Sequence, residues 1–294
     1  MRFLVTGATG FLGWRTAALL EADGHEVVRV ARPGGAPRAL ASEETLVRTD
    51  AGDPAVRNLM SGCDAVLHFA GIPDPRRARD DPARAVRENV GATLNLLVGC
   101  HAHDAGLVYP STVRAGLAPP PDEYAISKRL GEETCRMHPA RTTTLRLASV
   151  YGPGQVAWEG ATGAIASFAA AALDGDPLVI PGNPERARDF VYVDDLTPVL
   201  ERIVADGRWN ETVTLASGVA TPLLRAAELV RATVGTDTPI RTPGGNLAPG
   251  ENESYAVEQP SAGLGFEPRT LAEGIALYVD WLRRHPAAQG RPRA

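Results

Sequence analysis

The feature that most constrains this chain is a glycine triplet close to its start. Gly7, Gly10 and Gly13 follow the apolar segment Arg2–Thr6 and precede an amphipathic segment that runs to Leu20. Glycine is needed where a backbone turns sharply and must lie against a phosphate without a Cβ in the way. The start of the next helix offers free N–H groups and a partial positive charge. This order therefore favours a dinucleotide site in a βαβ unit over a tight turn that binds nothing.

Strand and helix patterns alternate through the first half of the chain. The predicted strands are 2–6, 26–31, 45–49, 65–69, 107–110 and 143–147, and the predicted helices are 11–23, 54–61, 82–103 and 123–138. Strands rich in Val and Leu, without a polar face, are typical of a parallel sheet that is buried on both sides. We therefore predict an α/β fold, with a Rossmann-type doubly wound parallel sheet in a dinucleotide-binding domain over residues 1–150.

The regular alternation weakens after Val150, where two glycines and a proline follow Tyr151. Beyond this point the patterns predict helices at 161–173, 194–205, 221–234 and 270–284, and short strands at 178–180, 190–193 and 212–215. We interpret residues 151–285 as mainly a smaller α/β substrate lobe, with some elements returning to the first domain. Residues 286–294, rich in Pro, Ala, Gly and Arg, are expected to form a flexible tail.

Composition excludes several classes of protein. A net charge of −5 argues against a nucleic-acid-binding surface. The three cysteines, Cys63, Cys100 and Cys135, have no paired spacing, so they predict neither a disulfide framework nor a metal site and fit a reducing cytoplasm. No apolar run approaches the ~18 residues that a membrane-spanning helix needs, and the start lacks the pattern of a signal peptide. We expect a cytoplasmic protein with a small-molecule substrate and no membrane partner.

Tyr124 and Lys128 form the second informative pattern, because a spacing of four places both on one face of a helix. A free tyrosine has a pKa of ~10, which is too high for ready proton exchange near neutrality. A nearby ammonium favours the phenolate, as does a positively charged nicotinamide ring. Tyr124 is thus a candidate acid or base toward a carbonyl or hydroxyl while hydride moves to or from a nicotinamide. The alternative is two residues that merely share a helix.

A hydroxyl group is expected beside this tyrosine. The predicted strand that begins at Leu107 is followed by Ser111 and Thr112, at the carboxyl edge where such sheets bind ligands. Either hydroxyl is a candidate to donate a hydrogen bond to the reacting oxygen. The alternative is that both residues only form the turn at the end of the strand.

Taken together, these motifs resemble those of the extended short-chain dehydrogenases/reductases, within the nucleotide-sugar epimerase/dehydratase family. The resemblance covers nearly the whole chain, from Phe3 to about Trp281. The segments that carry it are 6–13, 64–71 (DAVLHFAG), 89–97 (NVGATLNLL), the Ser111-Thr112 pair, Tyr124 with Lys128, 146–154 (RLASVYGPG) and 188–196 (RDFVYVDDL).

The resemblance implies roles for individual residues. It implies an NAD(P) cofactor bound by Gly7, Thr9, Gly10, Phe11, Leu12, Gly13, Arg32, Asp50, Ala51, Phe69, Ala70, Gly71, Asn89, Tyr124 and Lys128. Tyr124 and Lys128 are the implied proton-transfer pair, with Thr112 or Ser111 as the hydroxyl partner. Substrate would be bound by Ser149 and by Arg188, whose guanidinium suits a diphosphate; the alternative for Arg188 is an ion pair with Asp189 or Asp194. The helices at 82–103 and 123–138 match those that form a homodimer interface in this family.

The end of the second predicted strand departs from the family pattern for NAD. Enzymes that prefer NAD usually place Asp or Glu there for the ribose 2′-hydroxyl, whereas this chain has Ala31 followed by Arg32. An arginine without an acid suits a 2′-phosphate, so we predict that NADP(H) is preferred over NAD(H). The alternative is that Arg32 stacks on adenine or faces solvent while NAD is bound.

Two further departures lie after the strand hydroxyls. Val113 and Arg114 stand where family 4,6-dehydratases carry an Asp-Glu pair, which argues against dehydration. The loop from Thr112 to Tyr124 is also shorter than is common in the family. It leaves the hydroxyl partner open: strand register favours Thr112, and the distance to Gly116 favours Ser111.

These observations predict an NADP(H)-dependent oxidoreductase that reduces a keto group of a nucleotide-activated deoxysugar, as a 4-ketoreductase. The first alternative is an NAD(P)-dependent nucleotide-sugar 4-epimerase, which uses the same residues but retains its cofactor through the cycle. A reductase of a carbonyl compound without a nucleotide is less compatible with the motif at 188–196. A protein that senses NADP(H) without catalysis is disfavoured by the intact pair of Tyr124 and Lys128.

Overall fold

The structure is a computed structural model that describes residues 1–34, 46–160, 163–257, 260 and 264–286. The chain divides into two compact units. The first contains residues 1–147, 196–215 and 261–266, and the second contains residues 148–195, 216–260 and 267–294. Of the predicted elements, Thr45 in the third strand, residues 161–162 in the fifth helix and residues 287–294 of the tail lie outside the described residues.

The described elements are numbered in chain order. The strands are β1 (Arg2–Thr6), β2 (Glu26–Ala31), β3 (Leu46–Arg48), β4 (Ala65–His68), β5 (Gly106–Thr112), β6 (Thr142–Leu147), β7 (Ser149–Tyr151), β8 (Leu178–Pro181), β9 (Ala187–Arg188), β10 (Phe190–Tyr192), β11 (Glu211–Leu215), β12 (Thr221–Pro222) and β13 (Ile240–Gly244). The helices are α1 (Phe11–Ala22), α2 (Pro75–Asp80), α3 (Pro82–Val86), α4 (Ala92–His103), α5 (Glu123–Met137), α6 (Ala164–Asp174), α7 (Thr197–Ala205), α8 (Leu223–Val234) and α9 (Leu271–Arg284). Within the described residues, no helix is both long enough and apolar enough to cross a membrane.

A seven-stranded sheet forms the centre of the first unit. Its order is β11-β6-β5-β4-β1-β2-β3, and every neighbouring pair is parallel. All residues of β4 and β5 are buried, as expected for central strands covered on both faces. This sheet confirms the predicted Rossmann-type fold, and β11 supplies its last strand from far along the chain.

The register of the sheet brings the candidate site residues to one edge. Thr6 at the end of β1 lies opposite His68 at the end of β4 and Val30 near the end of β2. Thr112 at the end of β5 lies opposite Leu147 of β6. Because parallel strands all point the same way, the segments that follow them emerge on a common side.

Helix α5 lies very close to β5. Tyr109 of β5 is 1 % exposed, and a Cβ built on Gly131 of α5 would overlap its hydroxyl group and lie 2.5 Å from its Cζ atom. Glycine at position 131 therefore permits this contact. The contact in turn fixes the distance between β5 and α5, the helix that carries Tyr124 and Lys128.

Among its described residues, the second unit has three two-stranded sheets. Strands β7 and β10 pair in parallel, β8 and β13 pair in parallel, and β9 and β12 are antiparallel. Its core collects apolar side chains of α6, α8 and α9 around three tyrosines, Tyr151, Tyr192 and Tyr278. Tyr151 packs edge-on against the other two, with ring centroids 5.7 Å and 6.2 Å away.

Local structure differs from the sequence prediction at several points. The predicted helix 82–103 is broken into α3, a π-helical turn at Arg87–Gly91 and α4. The predicted helix 54–61 is a 3₁₀ helix at Pro54–Met60. The predicted helix 194–205 begins as a 3₁₀ turn at Val193–Leu196 before α7. Four strands (β7, β9, β12 and β13) and the short helix α2 were not predicted, because each is too short or too irregular to carry a periodic pattern.

The close packing at Gly131 gives a stability prediction. We expect Gly131→Ala to lower the free energy of unfolding by about 1–3 kcal/mol, because the added methyl group overlaps Tyr109 in a packed interior. Gly91→Ala is the matched control, since a Cβ there meets no atom within 4 Å, and it should be neutral or stabilising by up to about 1 kcal/mol. Urea unfolding of both variants measures this. Equal stabilities would contradict the packing described here.

Candidate active site

The glycine turn after β1 is a cradle that side chains would fill. Gly7 has a φ of +67°, and its carbonyl accepts the N–H of Gly10 at 2.8 Å. A Cβ on Gly7 would lie 2.6 Å from the backbone nitrogen of Ala70, and a Cβ on Gly13 would overlap the Gly7 carbonyl. The three glycines therefore let the turn, the end of β4 and the first turn of α1 come together.

The start of α1 suits a pyrophosphate. Its N-cap is Gly10, which carries no side chain to satisfy the first N–H groups of the helix. Thr9 precedes this cap, and Phe11 and Leu12 form the first turn with half-exposed side chains. Backbone N–H groups and the helix dipole thus remain available for an anion. The predicted cofactor residues 7–13 fit a dinucleotide in this respect.

The end of β4 is locked to β1 by polar contacts. Thr6 Oγ1 lies 2.8 Å from His68 Nδ1, and the Ala70 N–H donates to the same hydroxyl at 3.2 Å. Burial, together with the positive charge of Lys128, lowers the pKa of His68 to about 3, so its ring is neutral. Phe69 and Ala70 follow directly and border the Gly7 turn. Both residues remain predicted cofactor contacts.

The side chain of Asn89, in the π-helical turn, is hydrogen-bonded to protein groups. Its amide nitrogen donates to the Ile72 carbonyl at 3.1 Å and to Ser127 Oγ at 2.9 Å, and its amide oxygen accepts the Ile72 N–H at 2.8 Å. Gly71 precedes Ile72 with a φ of +139°, and a Cβ there would overlap the Asn89 amide. The Asn89 side chain therefore binds protein groups, and links the segment after β4 to the helix that carries Tyr124 and Lys128.

Lys128 is held on the sheet edge. Its ammonium donates to the Pro110 carbonyl at 2.8 Å and lies 4.9 Å from the ring centroid of Tyr109. Burial lowers the pKa of Lys128 to about 8, although Cys135 and Glu132 oppose that change. An ammonium has three N–H donors, and this one hydrogen bond leaves donors for a ligand.

Tyr124 lies one helical turn before Lys128, against an apolar cluster of Ile72, Ala78 and Ala85. Burial raises the pKa of Tyr124 to about 12, and the positive charge of Arg114 opposes this. The protein's own groups therefore do not lower the pKa of Tyr124, contrary to the sequence-based expectation. Desolvation of the phenolate outweighs the nearby positive charge.

The two candidate hydroxyls differ in their partners. Ser111 Oγ donates to Glu132 Oε1 at 2.5 Å, and Glu132 is paired with Arg146 at 2.7 Å. Thr112 Oγ1 accepts the Arg114 N–H at 3.3 Å, which leaves its own proton to donate. The geometry thus favours Thr112 over Ser111 as the hydroxyl that can reach a ligand. The hydrogen-bond acceptor of Ser111, Glu132, was not identified from the sequence patterns.

Three residues that the resemblance implies as cofactor contacts, Arg32, Asp50 and Ala51, follow β2 and β3. Arg32 follows β2 with an exposed side chain, and Arg48 Nη1 donates to its carbonyl at 3.4 Å. Asp50 Oδ1 accepts the Gly52 N–H at 2.7 Å, and Asn95 Nδ2 donates to the Ala51 carbonyl at 2.8 Å. These contacts fix the backbone at positions that the resemblance implies for the cofactor.

Ser149 and Arg188 belong to the second unit. Arg188 Nη1 donates to the Glu253 carbonyl at 2.5 Å and Nη2 to the Glu251 carbonyl at 3.1 Å. The Arg188 guanidinium also lies 4.8 Å from the ring centroid of Tyr255. The Ser149 N–H donates to the Asp189 carbonyl at 2.8 Å.

Asp189 is not paired with Arg188. Its carboxylate accepts the N–H groups of Ser217 at 2.7 Å and of Gly218 at 2.8 Å, together with the Ser217 hydroxyl at 2.9 Å. Burial raises the pKa of Asp189, and these hydrogen bonds oppose that change. The alternative interpretation, in which Arg188 forms an ion pair with Asp189, is therefore wrong.

Comparison with known proteins agrees with this architecture. Residues 3–216 match the model of the NAD dependent epimerase/dehydratase family. A dTDP-4-dehydro-6-deoxy-D-allose reductase of Streptomyces bikiniensis is 27% identical, over 96% of this chain and 96% of that protein. A UDP-glucose 4-epimerase of Mycolicibacterium smegmatis is 29% identical, over 96% and 99%.

A solved structure has a similar fold. MoeE5 in complex with UDP-glucuronic acid and NAD superposes with a TM-score of 0.83, at 26% identity, over 97% of this chain and 99% of that one. The family model covers well over half of the chain. The protein therefore belongs to the NAD dependent epimerase/dehydratase family and is an NAD(P)-dependent enzyme of the extended short-chain dehydrogenase/reductase type.

Proposed function

We propose that this enzyme is an NADP(H)-dependent reductase acting on a keto group of a nucleotide-activated deoxysugar, as a 4-ketoreductase. The choice of a reductase rests on the end of β2, where Ala31 and Arg32 replace the Asp or Glu that is usual in enzymes that prefer NAD. A guanidinium suits the extra phosphate of NADPH, and NADPH is exchanged at each turnover of a reductase. The Streptomyces bikiniensis relative, a dTDP-sugar reductase, supports the same substrate class.

In the proposed reaction, the bound nicotinamide supplies hydride to the carbonyl carbon, and the protein handles the proton. Tyr124 holds a proton at its phenol oxygen and donates it to the substrate oxygen as charge develops there. Thr112 donates a hydrogen bond to that same oxygen. Lys128, anchored on the Pro110 carbonyl at 2.8 Å, would donate its remaining N–H groups to the cofactor. The N-terminus of α1, whose cap Gly10 has no side chain, would hold the pyrophosphate.

The segment after Thr112 supports reduction without elimination. Dehydration needs a group that accepts a proton from the sugar, and an arginine is always protonated in proteins. Val113 has no titratable group, and the Arg114 guanidinium is engaged by Asp122. We therefore propose that the reaction ends at the reduced sugar.

Arg188 and Ser149 are proposed as substrate residues of the second unit. The carbonyls of Glu251 and Glu253 and the Tyr255 ring orient the Arg188 guanidinium. An oriented guanidinium loses less rotamer entropy when it binds a diphosphate.

The three cysteines are free and buried, which favours a cytoplasmic location.

A 4-epimerase that retains NAD is the second candidate. The Mycolicibacterium smegmatis relative is a UDP-glucose 4-epimerase at 29% identity, and MoeE5 was solved with NAD. The cofactor released from freshly purified protein distinguishes the two, because an epimerase keeps its dinucleotide through the cycle. Stoichiometric, tightly held NAD would favour the epimerase, whereas exchangeable binding with preference for NADPH supports the reductase.

The proton donor is tested with Tyr124→Phe, which should reduce turnover by at least ~100-fold while NADPH still binds. Thr112→Val should also lose most activity, with Thr112→Ser as the control that keeps the hydroxyl. Ser111→Ala should retain more activity than Thr112→Val, because the Ser111 hydroxyl is bonded to Glu132. Steady-state kinetics and NADPH fluorescence titration give both quantities. Full activity of Tyr124→Phe would remove Tyr124 from the mechanism.

The cofactor preference is tested with Arg32→Ala. Loss of the guanidinium should weaken NADPH binding by about tenfold or more, since a charge-assisted hydrogen bond contributes about 1.5–3 kcal/mol, and should leave NADH binding nearly unchanged. The dissociation constants of both cofactors are measured by fluorescence titration. Equal weakening of both would mean that Arg32 does not contact the 2′-phosphate.

We also propose that the enzyme is a homodimer through α3, α4 and α5. These helices expose large apolar side chains that a single chain leaves in water: Val86, Leu94, Val98, Ile126 and Leu130, which are 37–48% exposed. Such side chains, clustered on neighbouring helices, are typical of an interface. Leu130→Asp should therefore give a monomer in sedimentation velocity, and Leu277→Asp, at a residue of α9 that is 48% exposed, should not. A monomeric wild-type protein at micromolar concentration would contradict the proposal.

A further inference from the structure

One glutamate on α5 joins that helix to two strands of the central sheet. The Ser111 hydroxyl of β5 donates to Glu132 Oε1 at 2.5 Å. Arg146 of β6 binds the same carboxylate through two nitrogens, with Nε 3.0 Å from Oε1 and Nη2 2.7 Å from Oε2. Ser111 and Arg146 are paired in the register of the parallel strands. Glu132 therefore bonds to two residues that lie side by side in the sheet.

This connection is buried and directional. Ser111 is 3% exposed, and the side chain of Glu132 is 9% exposed. A carboxylate that meets two nitrogens of a guanidinium forms two charge-assisted hydrogen bonds, which fix orientation as well as distance. Water screens such a pair less than it screens a pair at the surface. The connection thus holds α5 and the ends of the two strands in one arrangement.

The residues on both sides of Ser111 belong to the candidate site. The Pro110 carbonyl accepts a hydrogen bond from the Lys128 ammonium at 2.8 Å, and Thr112 carries the hydroxyl that we propose as donor to the substrate oxygen. Glu132 follows Lys128 by four residues, which is one helical turn further along α5. The end of β5 is therefore tied to α5 at two successive residues.

Arg146 also borders the turn that follows Thr112. A Cβ built on Gly116, the last residue of the 3₁₀ turn Val113–Gly116, would lie 2.9 Å from Arg146 Nη1. The guanidinium thus packs against the backbone of this turn, and glycine at position 116 permits the close approach. Because Glu132 orients this guanidinium, it restrains the chain on both sides of Thr112.

We propose that Glu132 is a positioning residue that acts through Thr112: its carboxylate ties the end of β5 to α5 and so holds the Thr112 hydroxyl in place for the reacting oxygen. The inference rests on the proposed role of Thr112 as the hydroxyl that donates to that oxygen. A misplacement of about 1 Å at a reacting centre can cost about 100-fold in rate. A hydroxyl on an untied strand end would spend less time in the productive geometry.

The first test compares kcat and KM for the reduction of a dTDP-4-keto-6-deoxy sugar by NADPH. Glu132→Leu removes the bonds to both strands and should lower kcat by about tenfold or more. KM should stay nearly unchanged, because the Thr112 hydroxyl acts on charge that develops in the transition state. Glu132→Gln keeps an oxygen that can accept the Ser111 hydroxyl, so it should lose less activity. An unchanged kcat in Glu132→Leu would overturn the proposal.

A double-mutant cycle separates positioning from a general loss of stability. An enzyme that carries Thr112→Val has no hydroxyl to position, so adding Glu132→Leu should cause no further fall in kcat. The loss of stability in urea should persist in that background, since the bonds of Glu132 are removed in either case. A further fall in kcat of the same size as in the wild-type background would overturn the proposal.

A second variant covers the case in which Glu132→Leu folds poorly. This substitution leaves the Arg146 guanidinium without its carboxylate, which can impair folding. The double variant Glu132→Leu/Arg146→Met removes both charges and should show the same fall in kcat. Wild-type kcat in this double variant would contradict the positioning role.

Glu21→Leu is the matched control. Glu21 of α1 binds Arg29 of β2 through the same two guanidinium nitrogens, at 2.8 Å for Nε and 2.7 Å for Nη2. It therefore also ties a helix to a strand of the sheet, but neither residue belongs to the candidate site. Its loss should leave kcat and KM unchanged. A fall in kcat as large as that of Glu132→Leu would overturn the proposal.

The second test needs no substrate. Amide hydrogen exchange over residues 110–116, measured by mass spectrometry, reports how firmly the end of β5 is held. Exchange there should be at least about tenfold faster in Glu132→Leu, which lacks the charge-assisted hydrogen bonds, and unchanged in Glu21→Leu. Unchanged exchange in Glu132→Leu would overturn the tie itself.

These experiments separate failure of the inference from failure of the proposed function. Faster exchange with unchanged kcat in Glu132→Leu would overturn the positioning role and leave the reductase intact. Full activity of Thr112→Val would overturn the role of Thr112, and the inference with it. A wild-type enzyme that reduces no keto sugar would overturn the proposed function and therefore the inference as well.

Discussion

The candidate site depends on the contact of three backbone segments at the carboxyl edge of the sheet. Gly7 turns against the peptide between Phe69 and Ala70, and Gly13 packs on the Gly7 carbonyl, at distances that leave no room for a Cβ. This contact sets α1 directly after β1, with the N–H groups of its first turn free to bind an anion. A bulkier residue at Gly7 or Gly13 would separate β1 from β4 or α1 from the turn. The anion-binding cradle would then be lost.

The chemistry of the site follows from burial of groups that prefer water. Burial lowers the pKa of Lys128 to about 8 and raises that of Tyr124 to about 12. For Lys128 this shift corresponds to roughly 3 kcal/mol at neutral pH, which opposes folding. Such costs of burying ionisable groups are common at active sites.

Much of this arrangement follows from the sequence, because some constraints are local. The glycine spacing at positions 7, 10 and 13 fixes a turn, and the spacing of Tyr124 and Lys128 fixes one helix face. What the sequence did not reveal depends on contacts between distant segments. The π-helical turn at Arg87–Gly91 arises where Asn89 bonds to Ile72 and Ser127, and the proposal of Thr112 over Ser111 rests on a hydrogen bond from Ser111 to Glu132, 21 residues further along the chain. The pairing of Arg114 with Asp122 likewise requires the fold.

The central claim, that hydride passes from NADPH to the keto carbon of a nucleotide sugar, is tested most directly with deuterated cofactor. The protein would be incubated with a dTDP-4-keto-6-deoxy sugar and NADPH carrying two deuterium atoms at the nicotinamide C4 position. The account predicts one deuterium on the sugar C4 atom for each NADPH consumed, as measured by mass spectrometry and NMR of the product. A keto sugar left unreduced with no NADPH consumed, together with inversion at C4 of the corresponding 4-hydroxy nucleotide sugar, would contradict the account and identify an epimerase.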